Sequence, residues 1–153
     1  MERKKSLPGF LTEEELESLA LKIAEIESVT SGELKICFHL KRSYKERKKT
    51  SRDLAIEEFH KSGMTKTKEK TGVLLYFLLD EKIFEIIADE GINNKIDEQR
   101  WKTIVEVMSG HLKTSRAFSG ISEALDHIGL ILKDEFPCSD DNEDEISNEV
   151  EIN

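Results

Sequence analysis

Two groups of side chains in this chain are of types that can do chemistry. The first is acidic: Asp80 and Glu81, Asp89 and Glu90, Asp97, and Glu33 further upstream. Carboxylates hold hard divalent cations, so Asp89, Glu90 and Asp97, with Glu33 as an outlying fourth, are the assigned ligands for calcium or magnesium. Calcium takes six to eight oxygens, so these residues would need backbone carbonyls beside them. Each has a plainer reading. Asp97 precedes a helical pattern and suits an N-cap, Asp89-Glu90-Gly91 suits a turn, and Glu33 suits a solvated strand end.

The second group is basic. Lys41, Arg42, Lys45, Arg47, Lys48, Lys49 and Arg52 precede a short helical pattern, and Lys61, Lys66, Lys68 and Lys70 follow it. Flanking one helix, Lys45, Arg47, Lys48, Lys49, Lys66, Lys68 and Lys70 are expected to form a cationic surface for a protein partner or an anionic membrane surface. Tyr44 is the one aromatic residue in the first run. Base stacking therefore has little support, and nucleic acid is a poor candidate. A solvated charged face is the default for such runs.

Signatures of nucleophilic or zinc chemistry are missing. His39, His60, His111 and His127 form no i,i+4 pair, and Cys37 and Cys138 match neither a metal spacing nor a disulfide framework. The serines lack a GxSxG elbow, and no Gly-rich phosphate loop is present.

The elements that must position these groups are legible in the apolar pattern. Thr12 and Glu15 form a capping box between Leu11 and Leu16, and Leu16, Leu19, Ala20, Ile23 and Ile26 recur at helical spacing, predicting a helix to about Ser28. Glu33 to Lys41 alternates, with Leu34, Ile36, Phe38 and Leu40 on one face and Glu33, Lys35, Cys37, His39 and Lys41 on a polar one. Val73 to Leu79 is apolar throughout and reads as a central strand buried on both sides. The intervening Leu54, Ala55, Ile56 and Phe59 supply a short helix, which makes the two strands a parallel pair with a right-handed crossover.

Asp80-Glu81-Lys82 is too short for another crossover, so Ile83 to Ala88 returns antiparallel. That places Asp80 and Glu81 at the opposite end of the sheet from Asp89 and Glu90. Two helices follow, one striped by Trp101, Ile104, Val105, Met108 and Leu112, the other by Phe118, Ile121, Leu125, Ile128 and Leu132, the latter ending before Pro137. The order α-β-α-β-β-α-α specifies an α/β fold, a small mixed sheet with helices packed on it.

A chain of 153 residues suits one domain. Its net charge of −9 is concentrated: seven acidic residues and no Lys or Arg lie in 138–153, so the rest is nearly balanced. That segment is expected to be a disordered acidic tail. Residues 1–10 read as an N-terminal extension without the apolar stretch of a signal peptide. No apolar run approaches the ~20 residues of a transmembrane helix, and a cytoplasmic location is expected.

The chain resembles the TPM domain family over about 11–137. The resemblance is carried by Thr30-Ser31-Gly32-Glu33, by Phe59 with Gly63-Met64 and Thr67, by Gly72-Val73-Leu74, by Asp89 with Gly91-Ile92, and by Trp101. It implies a compact α/β/α sandwich. It also implies an association with divalent cations, calcium among them, and with acid phosphatase activity in plant relatives. The sequence departs from the family where Ser6-Leu7-Pro8-Gly9-Phe10 replaces acidic residues and where Lys70-Thr71-Gly72 replaces an Asn-Gly. The expected function is therefore a non-catalytic TPM-type module that binds a protein partner or an anionic surface. The alternative is a metal-dependent phosphomonoesterase using Glu33, Asp89, Glu90 or Asp97.

Overall fold

The structure is a computed structural model that describes residues 6–138 and 150–153. Helix α1 (Glu13–Glu27) begins at Thr12, whose side chain accepts from the Glu15 N–H while Glu15 returns the bond to the Thr12 N–H. Strand β1 (Glu33–His39) leads through a 3-10 turn (Tyr44–Glu46) into α2 (Ser51–Lys61), capped in the same reciprocal way by Thr50 and Asp53. A second 3-10 turn (Met64–Lys66) precedes β2 (Gly72–Leu78), which turns back into β3 (Ile83–Ala88). Then come a one-turn helix α3 (Glu90–Asn93), α4 (Glu98–Lys113) and α5 (Ala117–Glu135). A short strand β4 (Glu151–Ile152) follows.

The sheet order is β3-β2-β1-β4, with β2 parallel to β1, antiparallel to β3, and β4 parallel to β1. The α/β sandwich, the parallel pair and the hairpin thus form as the pattern requires. One sheet face, carrying Leu34, Ile36, Phe38, Val73, Leu75 and Phe77, packs with residues of α1, α4 and α5. The other, carrying Cys37, Leu74, Tyr76, Leu78 and Ile87, is covered by Leu54, Ala55 and Phe59 of α2. Helices on both sides bury β2 completely, which is why it can be apolar at every position.

Three expectations change. The polar face of β1 is not solvated: Glu33, Lys35 and Cys37 are buried because α2 lies over that face and β4 pairs with its outer edge. Leu7, assigned to an N-terminal extension, is 2% exposed; it bridges to Leu11 and joins the core, so the packed unit starts before residue 11. The expectation of a wholly unpaired tail fails at its last residues. Cys37 and Phe38 pair with Glu151 and Ile152, and the Asn153 N–H donates to the Phe38 carbonyl at 2.7 Å. An unpaired β1 edge offers backbone partners, and Ile152 adds apolar contact with the core. Residues 139–149 of that tail lie outside the described residues.

Candidate functional site

The chain leaves β1 directly into its basic loop, and Arg42 shapes it. The Arg42 guanidinium grips Glu81 of the β2–β3 turn through two bonds, Nε to Oε2 at 2.6 Å and Nη2 to Oε1 at 3.3 Å. Its Nη1 donates to the carbonyls of Glu46, at 3.2 Å, and Lys49. One planar cation thus ties the loop to the hairpin, and the Glu81 hydrogen bond raises its pKa. Glu46 returns its carboxylate to the Ser43 N–H at 2.8 Å, and that bond lowers its pKa. His39 Nε2 lies 3.4 Å from the same Glu46 carboxylate.

Stitched from inside, the loop points its remaining cations outward. Lys45, Arg47 and Lys48 are exposed and form no ion pair among the described residues. The Arg47 guanidinium stacks 3.9 Å above the ring of Tyr44, which is itself 79% exposed. Lys49 is engaged differently: its Nζ sits 2.6 Å from Glu57, whose hydrogen bond raises the lysine's pKa.

The expected single cationic surface divides in two. Lys45 to Lys49 lie before the start of α2, while Lys66, Lys68 and Lys70 lie beyond its end, and its 11 residues separate them by roughly 16 Å. Arg52 joins neither group, since it pairs with Glu85 at 3.3 Å and donates to the Ile86 carbonyl.

The acidic residues are dispersed as well. Asp89 caps α3: its Oδ1 accepts from the Glu90 N–H at 2.8 Å, while Oδ2 is buried with no hydrogen-bond partner among the described residues. Asp97 caps α4 by accepting from the Gln99 N–H at 3.0 Å, and both it and Glu90 are exposed. Glu33 is buried at the sheet end that it shares with Asp89: Glu33 is in register with Gly72, and the Asp89 N–H donates to the Gly72 carbonyl. Asp80 and Glu81 lie at the other end, beside the hairpin turn.

Asp89, Glu90 and Asp97 do not converge as a ligand set. Two of them spend an oxygen on helix capping, and no group of three ligand atoms forms among them within 4.8 Å. Calcium's six to eight oxygens would have to be drawn from beyond these three side chains. Nor does any of them line the cavity of about 610 Å³ between β3 and α4, which is rimmed by Arg52, Glu85, Trp101 and Lys102.

The side chains that do converge come from β1, α2 and β4. Ligand atoms of Cys37, Glu58 and Glu151 all lie within 4.8 Å of one another, the only such group of three among the described residues. The Asn153 side-chain nitrogen lies 3.0 Å from Cys37 Sγ, 3.4 Å from Glu58 Oε1 and 3.0 Å from Glu151 Oε2. Lys35 Nζ reaches Glu151 Oε1 at 3.2 Å, and the Ser62 hydroxyl donates to Glu58 Oε1 at 3.0 Å. Burial, reinforced by the two carboxylates, pushes the Cys37 thiol up. Burial together with the Glu151 carboxylate raises Glu58 to about 7. Against burial, which acts upward, hydrogen bonds from Glu58, Asn153 and Lys35 hold Glu151 down at about 2. Of the two carboxyls, Glu58 is therefore the one that takes up a proton first as pH falls.

Sequence reasoning missed this group because its members are far apart in the chain and no spacing rule joins them. The one available signal was a cysteine alternating with Lys35 and His39 on β1, and that needed the tail as its partner.

A family model described as the TPM domain matches residues 6–130. The fold is similar to the NMR structure of BA42 protein from the psychrophilic bacterium Bizionia argentinensis, with a TM-score of 0.85 and 27% identity, covering 98% of this chain and 100% of that one. It is also similar to the solution NMR structure of the N-terminal domain of a protein from P. gingivalis, with a TM-score of 0.68 and 16% identity, covering 84% and 80%. That second likeness shows the fold alone. No curated protein sequence matches the chain.

Proposed function

The chain belongs to the TPM domain family, and on that premise we propose that it is a non-catalytic module that binds an anionic surface through the loop from Ser43 to Lys49. The observation that carries this reading is the loop's construction. Arg42 is consumed in holding the loop to the hairpin, while Lys45, Arg47 and Lys48 stay exposed and Arg47 stacks on an exposed Tyr44. A lone surface lysine is ordinary. Three exposed cations close together in one loop, one of them stacked on an exposed aromatic ring, give an array suited to an interface where headgroup charge meets apolar chains. The acidic residues between 139 and 149, which lie outside the described residues, are the proposed modulator of that binding.

The supporting experiment is co-sedimentation with vesicles of phosphatidylserine and phosphatidylcholine, using phosphatidylcholine alone as control. Lys45→Gln, Arg47→Gln and Lys48→Gln together should lower binding ~100-fold, at about 1 kcal/mol per cation near such a surface. Replacing the 140–149 acids by their amides should raise it. Binding that ignores the triple change removes the lipid reading. A triple variant that instead loses capture of an acidic protein places the partner among proteins. Calcium- or magnesium-dependent aryl-phosphate turnover abolished by Asp89→Asn would replace the binding module with an enzyme.

A further inference from the structure

We propose that Cys37, Glu58 and Glu151 form a site for a transition-metal ion of the zinc class, which clips β4 to the edge of β1. The ligands arrive from three elements and already lie within 4.8 Å of one another, while tetrahedral zinc at its usual bond lengths draws such atoms to roughly 3.3–3.8 Å apart. The closing movement is therefore small, and β4 at the sheet edge is the element free to make it. A thiolate with two carboxylates is a mixed set, one soft donor and two hard ones, and the thiolate is what selects zinc or cobalt over calcium or magnesium.

Asn153 marks the centre. One side-chain nitrogen reaches an atom of all three ligands at 3.0–3.4 Å, so it occupies the point from which a cation would address them. The amide's oxygen and nitrogen are near-equivalent in shape. For a metal to take that point the amide must draw back by the ~2 Å of a zinc–oxygen bond, and turned over it then presents Oδ1 as a fourth ligand.

Charge also closes. Binding replaces the Cys37 S–H with a metal–thiolate bond, and that proton leaves to solvent, as does any proton held by the carboxylates. A thiolate and two carboxylates against a dication leave one negative charge, and Lys35, 3.2 Å from Glu151, neutralises it. The site is separate from the loop proposed to bind anions, and neither reading depends on the other.

The test uses the full chain carrying Cys138→Ser, which removes the exposed second thiol. Cobalt(II) should produce a thiolate-to-metal charge-transfer band with tetrahedral d–d bands, and zinc should displace it. Cys37→Ser should abolish the band, and Glu151→Gln should weaken affinity ~100-fold or more, beyond what losing a mere supporting residue costs. Glu151 sits on a two-residue edge strand, so the fold survives its change if Cys37→Ser proves unstable. Cobalt binding without a thiolate band, or with affinity indifferent to Glu151→Gln, overturns the proposal.

Discussion

At the scale of single residues, the acidic corner after the hairpin shows how one motif can serve packing. Gly91 was expected to serve turn chemistry. In the structure it begins the close approach of α3 to the Glu69–Lys70 backbone, where an added Cβ would collide with the Glu69 carbonyl oxygen. Backbone cannot give way as a flexible side chain can, so Gly91→Ala should cost about 1–3 kcal/mol, read from the urea midpoint at unchanged m-value. The Glu58–Glu151 pair makes a second residue-scale prediction for the metal-free chain. Glu58 binds its proton more tightly folded, at about 7, than its ordinary 4.5, so its contribution is complete below 4.5 and lost as pH rises through 7. Glu151, held at about 2, has the opposite sign and loses its contribution as pH falls from 4.5 towards 2. Stability with chelator present should therefore decline from about pH 5 to about pH 8, and Glu58→Gln should flatten that slope. A wild-type slope equal to the variant's would contradict the raised Glu58 pKa.

At the scale of elements, local rules decide most of what forms. Thr12 and Glu15 satisfy each other's backbone N–H, so Thr12→Ala should destabilise the fold by about 1 kcal/mol, measurable by urea unfolding. Leu125 of α5 is fully buried against the sheet, and Leu125→Ala should cost about 2–5 kcal/mol by the same measurement. The helix caps at Thr12 and Asp97, the all-apolar β2 and the stop before Pro137 were legible in the sequence, because each rests on neighbours a few residues apart. The second face of β1 was not. Lys35 and Cys37 read as solvated until a distant helix and a two-residue strand cover them. Of the candidate site, the basic loop's residues were legible by type. Arg42's role as its fastener depends on Glu81, 39 residues away, and no local pattern reveals it. The separation of Lys66, Lys68 and Lys70 from that loop follows from the length of α2, which proximity in the chain conceals.

At the scale of the whole molecule, the sheet distributes charge by end and by edge. Carboxylates lie at both ends without meeting, the outward cations gather where β1 emerges, and the last residues close the β1 edge. None of the described helices is long and apolar enough to cross a membrane, and the proposed membrane contact runs through the basic loop. Such contact should weaken with salt, as charges about 10 Å apart are screened at 0.1 M. The most direct measurement is amide chemical-shift mapping as phosphatidylserine vesicles or their soluble headgroup are added. Shifts or broadening confined to Ser43–Lys49 and the adjoining hairpin turn, and absent from the Lys45/Arg47/Lys48 variant, are the predicted result. Perturbation centred instead on the β3–α4 cavity or on Asp89, or no perturbation at any loop residue, would contradict an anion-binding role for this surface.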